Sequence, residues 1–382
     1  MLDVAPLSDA PPAQSPPKWP PQWRRHWTHW RNRVLGSPVF QDWASRLPIF
    51  ASVSRRRAAK AFDLVAGFTY SQVLLAAVQV DLLDLLDAGP CGADDIARSA
   101  ALSRAAATRL LRAAAALDLA EEVAPGCWML GQQGAALLSN PGALAMVRHH
   151  PLLYADLADP LALLRQDRQK PTALSNFWHY HPETDGETAG RYSSLMAASQ
   201  QMVAQQAMGA YAFDRHRRLL DIGGGHGAFV NALAAACPSL ELGIFDLPPV
   251  LAGATNLPPR VSRHPGDFFA DTPPTGYDCI TLSRILHDHD DDRCLQILRG
   301  IRAALPEDGR LVIAEPMAGA RGAKAMGDAY FGLYLWAMNS GRPRTPAEYG
   351  EMLRKAGFPH WQQKRTAMPV IASVIVSSYR QL

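Results

Sequence analysis

Three groups of residues in this chain have types and spacings that could carry chemistry. The densest is Leu219-Leu-Asp-Ile-Gly-Gly-Gly-His-Gly227, where a short apolar run enters a turn with glycine at 223, 225 and 227. Such a turn needs unusual backbone angles, and a Cβ would block a ligand lying against the main chain. The nicotinamide and flavin fingerprint is G-x-G-x-x-G, whereas these glycines read G-x-G-x-G. Asp246 closes a second apolar run, Leu242-Gly-Ile-Phe-Asp246, at the place where an acid binds a ribose diol. Turn and acid together point to a nucleoside-type cofactor, and the G-x-G-x-G form to S-adenosylmethionine. The second group is Gly266-Asp-Phe-Phe269: Asp267 can bind an adenine amino group and Phe268 can cover the ring. The third pairs Thr281-Leu-Ser-Arg-Ile-Leu-His-Asp-His-Asp290 with Glu315-Pro-Met317. Its His287 is the natural proton acceptor near neutral pH.

These groups need a scaffold that brings strand ends together. After residue 211 the chain alternates strand-like and helix-like segments, with strands expected at Arg218–Ile222, Leu242–Phe245, Tyr277–Ser283 and Gly309–Ala314. That rhythm predicts a doubly wound, Rossmann-like parallel α/β sheet, in which ligands sit at the carboxyl ends of the strands. Asp221, Ser283 and Leu247 fall at those ends and join the expected cofactor set. A β-branched run near residues 370–378 reads as a last strand added at an edge.

The amino-terminal half reads differently. Residues 1–17 are Pro-rich with little to bury, the composition of a disordered tail. In the arm, residues 18–57, Trp19, Trp23, Trp27 and Trp30 recur at helical spacing among Lys18, Arg24, Arg25, Arg31 and Arg33. An interfacial helix on a membrane and an arm packed on its own or a partner subunit both fit this pattern. From 58 to 140 the pattern is helical, with a long helix from Phe62 expected to be heavily buried. Helix, helix and ribbon then follow as in a winged-helix unit. Arg104, Arg109 and Arg112 stand among alanines, so packing or dimerisation fits better than DNA binding. Residues 141–210 read as helical connections, where His179 and His181 lack the partners of a metal site.

Bulk composition narrows the classes further. The length of 382 residues suits two domains, and a charge of +3 with no basic tail argues against a nucleic-acid partner. Five scattered cysteines without C-x-x-C read as reduced thiols. No apolar run is expected to reach membrane-span length, and the first thirty residues lack the apolar centre of a signal peptide. The expected location is therefore cytoplasmic, with peripheral contact at the inner membrane as the arm's second reading.

The glycine turn, Phe245-Asp-Leu-Pro248, Gly266-Asp-Phe-Phe269, Arg284-Ile-Leu-His-Asp288 and Ile313-Ala-Glu-Pro316 together resemble the motif series of the S-adenosylmethionine-dependent small-molecule O-methyltransferases. Residues 58–140 are similar to that family's dimerisation domain. Trp30-Arg-Asn-Arg-Val-Leu-Gly-Ser-Pro-Val-Phe-Gln-Asp-Trp43 and Phe62-Asp-Leu-Val-Ala-Gly-Phe-Thr-Tyr-Ser-Gln-Val-Leu-Leu75 resemble the carotenoid hydroxyl methyltransferases of phototrophic bacteria. The resemblance implies His287 as general base, Glu315 as its orienting acid, and Arg284 as a basic residue beside the cofactor. It also implies Met196 near the sulfonium, a homodimer, a hydrophobic small-molecule acceptor, S-adenosylhomocysteine as product and no metal. That the inner membrane is a photosynthetic one is implied only by the resemblance to enzymes of phototrophic bacteria. Tyr330–Met338 would line the acceptor pocket, although core packing explains its composition equally well. Gly341-Arg-Pro-Arg-Thr345 departs from the family, with Pro343 where a second orienting glutamate is expected; Glu348 and Asp288 are the two acids that could compensate. A phenolic or polyketide acceptor, or binding of S-adenosylmethionine without methyl transfer, are the alternatives within the fold; a small-molecule-sensing winged-helix regulator is the alternative outside it.

Overall fold

The computed structural model describes residues 19–178 and 200–381, so Met196, His179 and His181 lie outside the described residues. The chain divides into two compact units, residues 1–72 and 73–382.

In the first unit, α1 (Gln22–Leu35), α2 (Pro38–Arg46) and most of α3 (Pro48–Gln79) follow one another. The Ser37 hydroxyl accepts from Phe40 N to cap α2, and Pro38 at its first position suits a helix start. The helix expected to be heavily buried is not: Phe62, Leu64, Val65 and Phe68 are each more than 60 % exposed. An all-round apolar sequence demands a cover but does not say which chain supplies it. The expectation about membrane-span length is also corrected, because Phe50–Gln79 is one helix long and apolar enough to cross a membrane by length and composition.

In the second unit, residues 73–147 build a small core. Ile96 and Leu111 from two helices, Ala93–Ser99 and Arg104–Ala116, pack with Leu82, Leu86, Trp128 and Val147. Ser103 caps the second helix, its hydroxyl accepting from Ala106 N at 3.1 Å. The ribbon is an antiparallel hairpin of β1 (Ala120–Ala124) and β2 (Cys127–Leu130).

The remainder of the second unit is built on a seven-stranded sheet. Its strands are β3 (Arg218–Ile222), β4 (Glu241–Asp246), β5 (Val261–Pro265), β6 (Cys279–Ser283), β7 (Arg310–Glu315), β8 (His360–Lys364) and β9 (Ser373–Ser378). They lie in the order β5-β4-β3-β6-β7-β9-β8, with β9 antiparallel to both neighbours and the first five strands parallel. The β-branched run at the carboxyl end is therefore not the edge. β9 is wholly buried between β7 and β8, and the polar, partly exposed His360–Lys364 forms the edge. A polar strand suits an edge that meets water.

The central strands are buried on both faces, as a parallel sheet between helices requires. One face packs Ile280, Leu282, Ile297, Leu298, Ile301 and Tyr349, and the other Leu219, Phe229, Val230, Leu242 and Val374. Each fully buried aliphatic or aromatic side chain contributes about 1.5–3 kcal/mol.

Candidate active site

Strand order reverses between β3 and β6, and the chemistry collects at the carboxyl ends of those strands. After β3, Gly223 has φ +67° and its N–H donates to Phe245 O at 2.8 Å. A Cβ there would come within 2.4 Å of Ile285 Cδ1, in a conformation that already disfavours L side chains. Gly225 N and Leu247 N each donate to a carboxylate oxygen of Asp246 at 2.7 Å. Burial pushes the Asp246 carboxyl up, and these two bonds oppose it. Each oxygen keeps a further lone pair for another donor.

Asp221 is buried on β3, and one of its oxygens accepts from the Thr281 hydroxyl at 2.6 Å. The other, Oδ2, is buried with no hydrogen-bond partner. Burial, with some help from Asp246, raises this carboxyl to about 7. A buried acid with one empty oxygen suits a cationic donor. Phe268 lies beside the glycine turn and packs edge-on to Phe269 and His289. Asp267 is half-buried and accepts from Phe269 N at 2.8 Å. The Ser283 hydroxyl is bonded to Gln200, and Arg284 sits at φ +57° with its N–H on Ala314 O.

His287 occupies a short 3-10 turn just past β6 and is 2 % exposed. Its Nδ1 bonds to Glu315 Oε2, and the other oxygen of Glu315 accepts from Ile285 N at 3.0 Å and Leu286 N at 2.8 Å. Glu315 therefore fixes both the ring and the loop that carries it. On the opposite side, His287 Nε2 stands 3.0 Å from Asp288 Oδ1. That oxygen has no aligned hydrogen bond of its own, so it remains open to a donor. Burial would lower the imidazole, but the Asp288 and Glu315 carboxylates outweigh it and raise His287 to about 9. The resting ring is therefore an imidazolium at neutral pH. If the neutral His287 ring accepts the proton, replacing Asp288 by Asn is expected to move the acid limb of the kcat/KM profile to lower pH, because a carboxylate that raises the imidazole is removed. An unmoved limb would exclude Asp288 from the tuning.

Among the described residues, Pro343 leaves no second glutamate beside the base. Glu348 is committed elsewhere, closing a capping box with Thr345 and pairing with Arg342 at 2.7 Å. Asp288 is the second carboxylate at the ring. Sequence reasoning missed the residues that hold this loop from behind. Arg344 is fully buried and donates to Leu286 O at 2.8 Å, His289 O at 2.7 Å and Asp291. Arg342 N donates to His287 O at 3.0 Å. Gly341, at φ +75°, lies so close that a Cβ would come within 2.0 Å of that same carbonyl. The available signal was two arginines flanking the departing proline.

The helical segment after residue 325 packs into the core and carries one ring toward His287. Tyr334, Leu335, Ala337 and Met338 are core, while the Phe331 ring lies 6.1 Å from His287. His150 Nε2 meets the Tyr330 hydroxyl at 2.9 Å, and His149 Nε2 meets that of Tyr334 at 3.1 Å. Among the described residues, no group of three His, Cys, Asp or Glu could hold a metal ion.

Residues 154–359 match the O-methyltransferase domain, and residues 62–140 the O-methyltransferase dimerisation domain. Demethylspheroidene O-methyltransferase of Rhodobacter capsulatus is 43% identical over 90% of this chain and 88% of its own. That of Cereibacter sphaeroides is 39% identical over 90% and 93%. Among solved structures, human N-acetylserotonin methyltransferase in complex with SAM superposes with a TM-score of 0.72 at 23% identity, over 84% of this chain and 97% of that one. That structure shares the fold, and the two bacterial enzymes align with nine tenths of the chain. The protein belongs to the S-adenosylmethionine-dependent O-methyltransferases.

Proposed function

We propose that this protein methylates the tertiary hydroxyl of an acyclic hydroxycarotenoid, working as a homodimer in peripheral contact with the cytoplasmic side of a membrane. The observation that carries the substrate class is the 43% identity, over nearly the whole chain, to an enzyme named for demethylspheroidene. The matched dimerisation segment supports the homodimer and supplies a cover for the exposed apolar face of α3. Asp221, Gly223, Gly225, Gly227, Asp246, Leu247, Asp267, Phe268, Ser283 and Arg284 would hold S-adenosylmethionine, with Met196 as a further candidate. The empty oxygen of Asp221 suits a cationic amino group, and the crowded glycine turn suits a ligand lying on the backbone. When bound, S-adenosylmethionine supplies an electrophilic methyl group and leaves as S-adenosylhomocysteine.

A tertiary alcohol is far too weak an acid to ionise beforehand. The proton must leave as the new bond forms, and His287 Nε2 would accept it. Asp288 Oδ1 can first accept the substrate O–H, drawing the hydroxyl to the ring. Glu315 holds Nδ1 protonated, so Nε2 is the nitrogen that receives the proton. General-base help of this kind contributes about 10²–10⁴-fold. Alignment of two bound molecules supplies roughly 7–11 kcal/mol at most.

The test is incubation with methyl-labelled S-adenosylmethionine and a 1-hydroxylated acyclic carotenoid in detergent, beside a parallel reaction with a catechol-type phenol. Label in the carotenoid is the expected result. Label in the phenol alone would keep the enzyme class and overturn the substrate.

A further inference from the structure

The arm is the surface that catalysis leaves unused. Residues 19–72 carry nine Arg and Lys against Asp42 and Asp63, a balance of +7; the whole chain is +3, so everything else sums to −4. No acid occurs between Trp19 and Gln41. α1 buries none of its residues. Its Trp23, Trp27, Trp30 and Val34 follow i, i+4, i+7, i+11 spacing, which is one stripe at about 3.6 residues per turn. The three indoles are 69, 53 and 55 % exposed, and Trp27 stacks on Trp30 with centroids 5.0 Å apart. By the same geometry Arg31 and Arg33 fall on the two borders of the stripe. A second aromatic row, Phe40, Trp43 and Phe50, runs from α2 into α3 at 5.9 and 6.1 Å spacing. Arg55, Arg56, Arg57 and Lys60 follow it.

We infer that this surface docks the protein on an anionic phospholipid bilayer. Indoles settle where apolar and wet regions meet, and guanidinium groups pair with lipid phosphates in forked geometry. Two arms packed against each other would oppose like charges with almost no acid to offset them, which disfavours a second copy as occupant. The apolar residues of α3 from Phe62 onward lie within the matched dimerisation segment and are not part of this surface. The purpose of docking rests on the carotenoid reading, because an acceptor dissolved in lipid is reached from its surface. The charge and the exposed indoles stand without that reading.

The experiment compares the full chain with a Trp23→Ser, Trp27→Ser, Trp30→Ser triple variant. Flotation uses vesicles of phosphatidylcholine alone or with phosphatidylglycerol, at two salt concentrations. Wild type is expected to float with the anionic vesicles, to be partly released by salt, and to bind them at least tenfold more tightly than the variant. Both proteins should have the same mass in solution and should methylate carotenoid in detergent micelles equally, while the variant falls behind on vesicle-borne carotenoid. Equal flotation of the two proteins, equal binding to both vesicle types, or a fall of the variant to half the wild-type mass would each overturn the inference, the last by making the arm a subunit contact. Vesicle binding without carotenoid methylation in micelles would instead overturn the substrate reading and leave the docking surface standing.

Discussion

Replacing His287 by Ala is expected to lower turnover by about 10²–10⁴-fold while cofactor affinity stays within a few-fold of wild type. The imidazole is 2 % exposed, anchored by Glu315 at Nδ1 and facing Asp288 at Nε2. Of the residues proposed for the cofactor, those on the glycine turn and at the end of β4 follow other strands than the His287 turn does, and the side-chain contacts of Asp221 and Asp246 do not include His287. Ser283 and Arg284, at the end of β6, are the ones nearest it in the chain. Isothermal titration with S-adenosylhomocysteine separates the two effects from the label-transfer rate. The pH profile gives a second reading. With the neutral ring as the proposed acceptor and its pKa raised to about 9, kcat/KM of the wild type should climb through neutral pH and level near that value. The residual rate of the Ala variant should lose that limb. Turnover equal to wild type, or a retained limb, would remove His287 from the proton transfer.

The parts of this site that were legible in the sequence are those whose chemistry is local to one strand end. Gly223, Gly225 and Gly227 announce a turn because positive φ at close spacing has few other solutions, and φ is positive at all three. Asp246 and Glu315 each close an apolar run and His287 follows shortly after the end of another, so the rule that ligands collect at carboxyl ends brings them together without knowledge of tertiary contacts. Asp288 and Arg344 were not legible in that way. Asp288 could be named, but whether its carboxylate turns toward the ring depends on the loop path, which Gly341 and Arg342 set from more than fifty residues downstream. The position of β9 was misread for a similar reason. A β-branched run specifies a buried strand, but the polar strand that covers its flank carries almost no strand signal of its own. The burial of α3 failed because periodicity reports the need for an apolar neighbour and is silent about whether that neighbour is the same chain.

Arg344→Met should be the most destabilising single change in the loop, and it separates structural support from tuning of the base. Arg344 is the largest side chain with no exposure, and its guanidinium caps two carbonyls of the catalytic turn, Leu286 O and His289 O. Methionine fills much of the volume but donates nothing. The Cys294 thiol also reaches both carbonyls, at 3.1 and 3.3 Å, but it is a weak donor. Leu286 O keeps the His289 N–H at 3.3 Å, so the two buried acceptors left short of partners cost at most about 2–6 kcal/mol together, at roughly 1–3 each. The ion pair adds less, because Asp291 is half exposed and its lost partner is replaced by water. Thermal unfolding should therefore fall by several degrees. If Arg344 acts only as a buttress, the folded variant at low temperature will keep the wild-type pH limb with a reduced amplitude. If it also holds Asp288 against Nε2, the limb will move to lower pH, as in Asp288→Asn. The geometry favours the second outcome, since the turn clamped by Arg344 at Leu286 and His289 is the turn that presents both His287 and Asp288. An Arg344→Lys variant supplies the charge without the fork, and it should recover part of the stability while leaving the limb displaced.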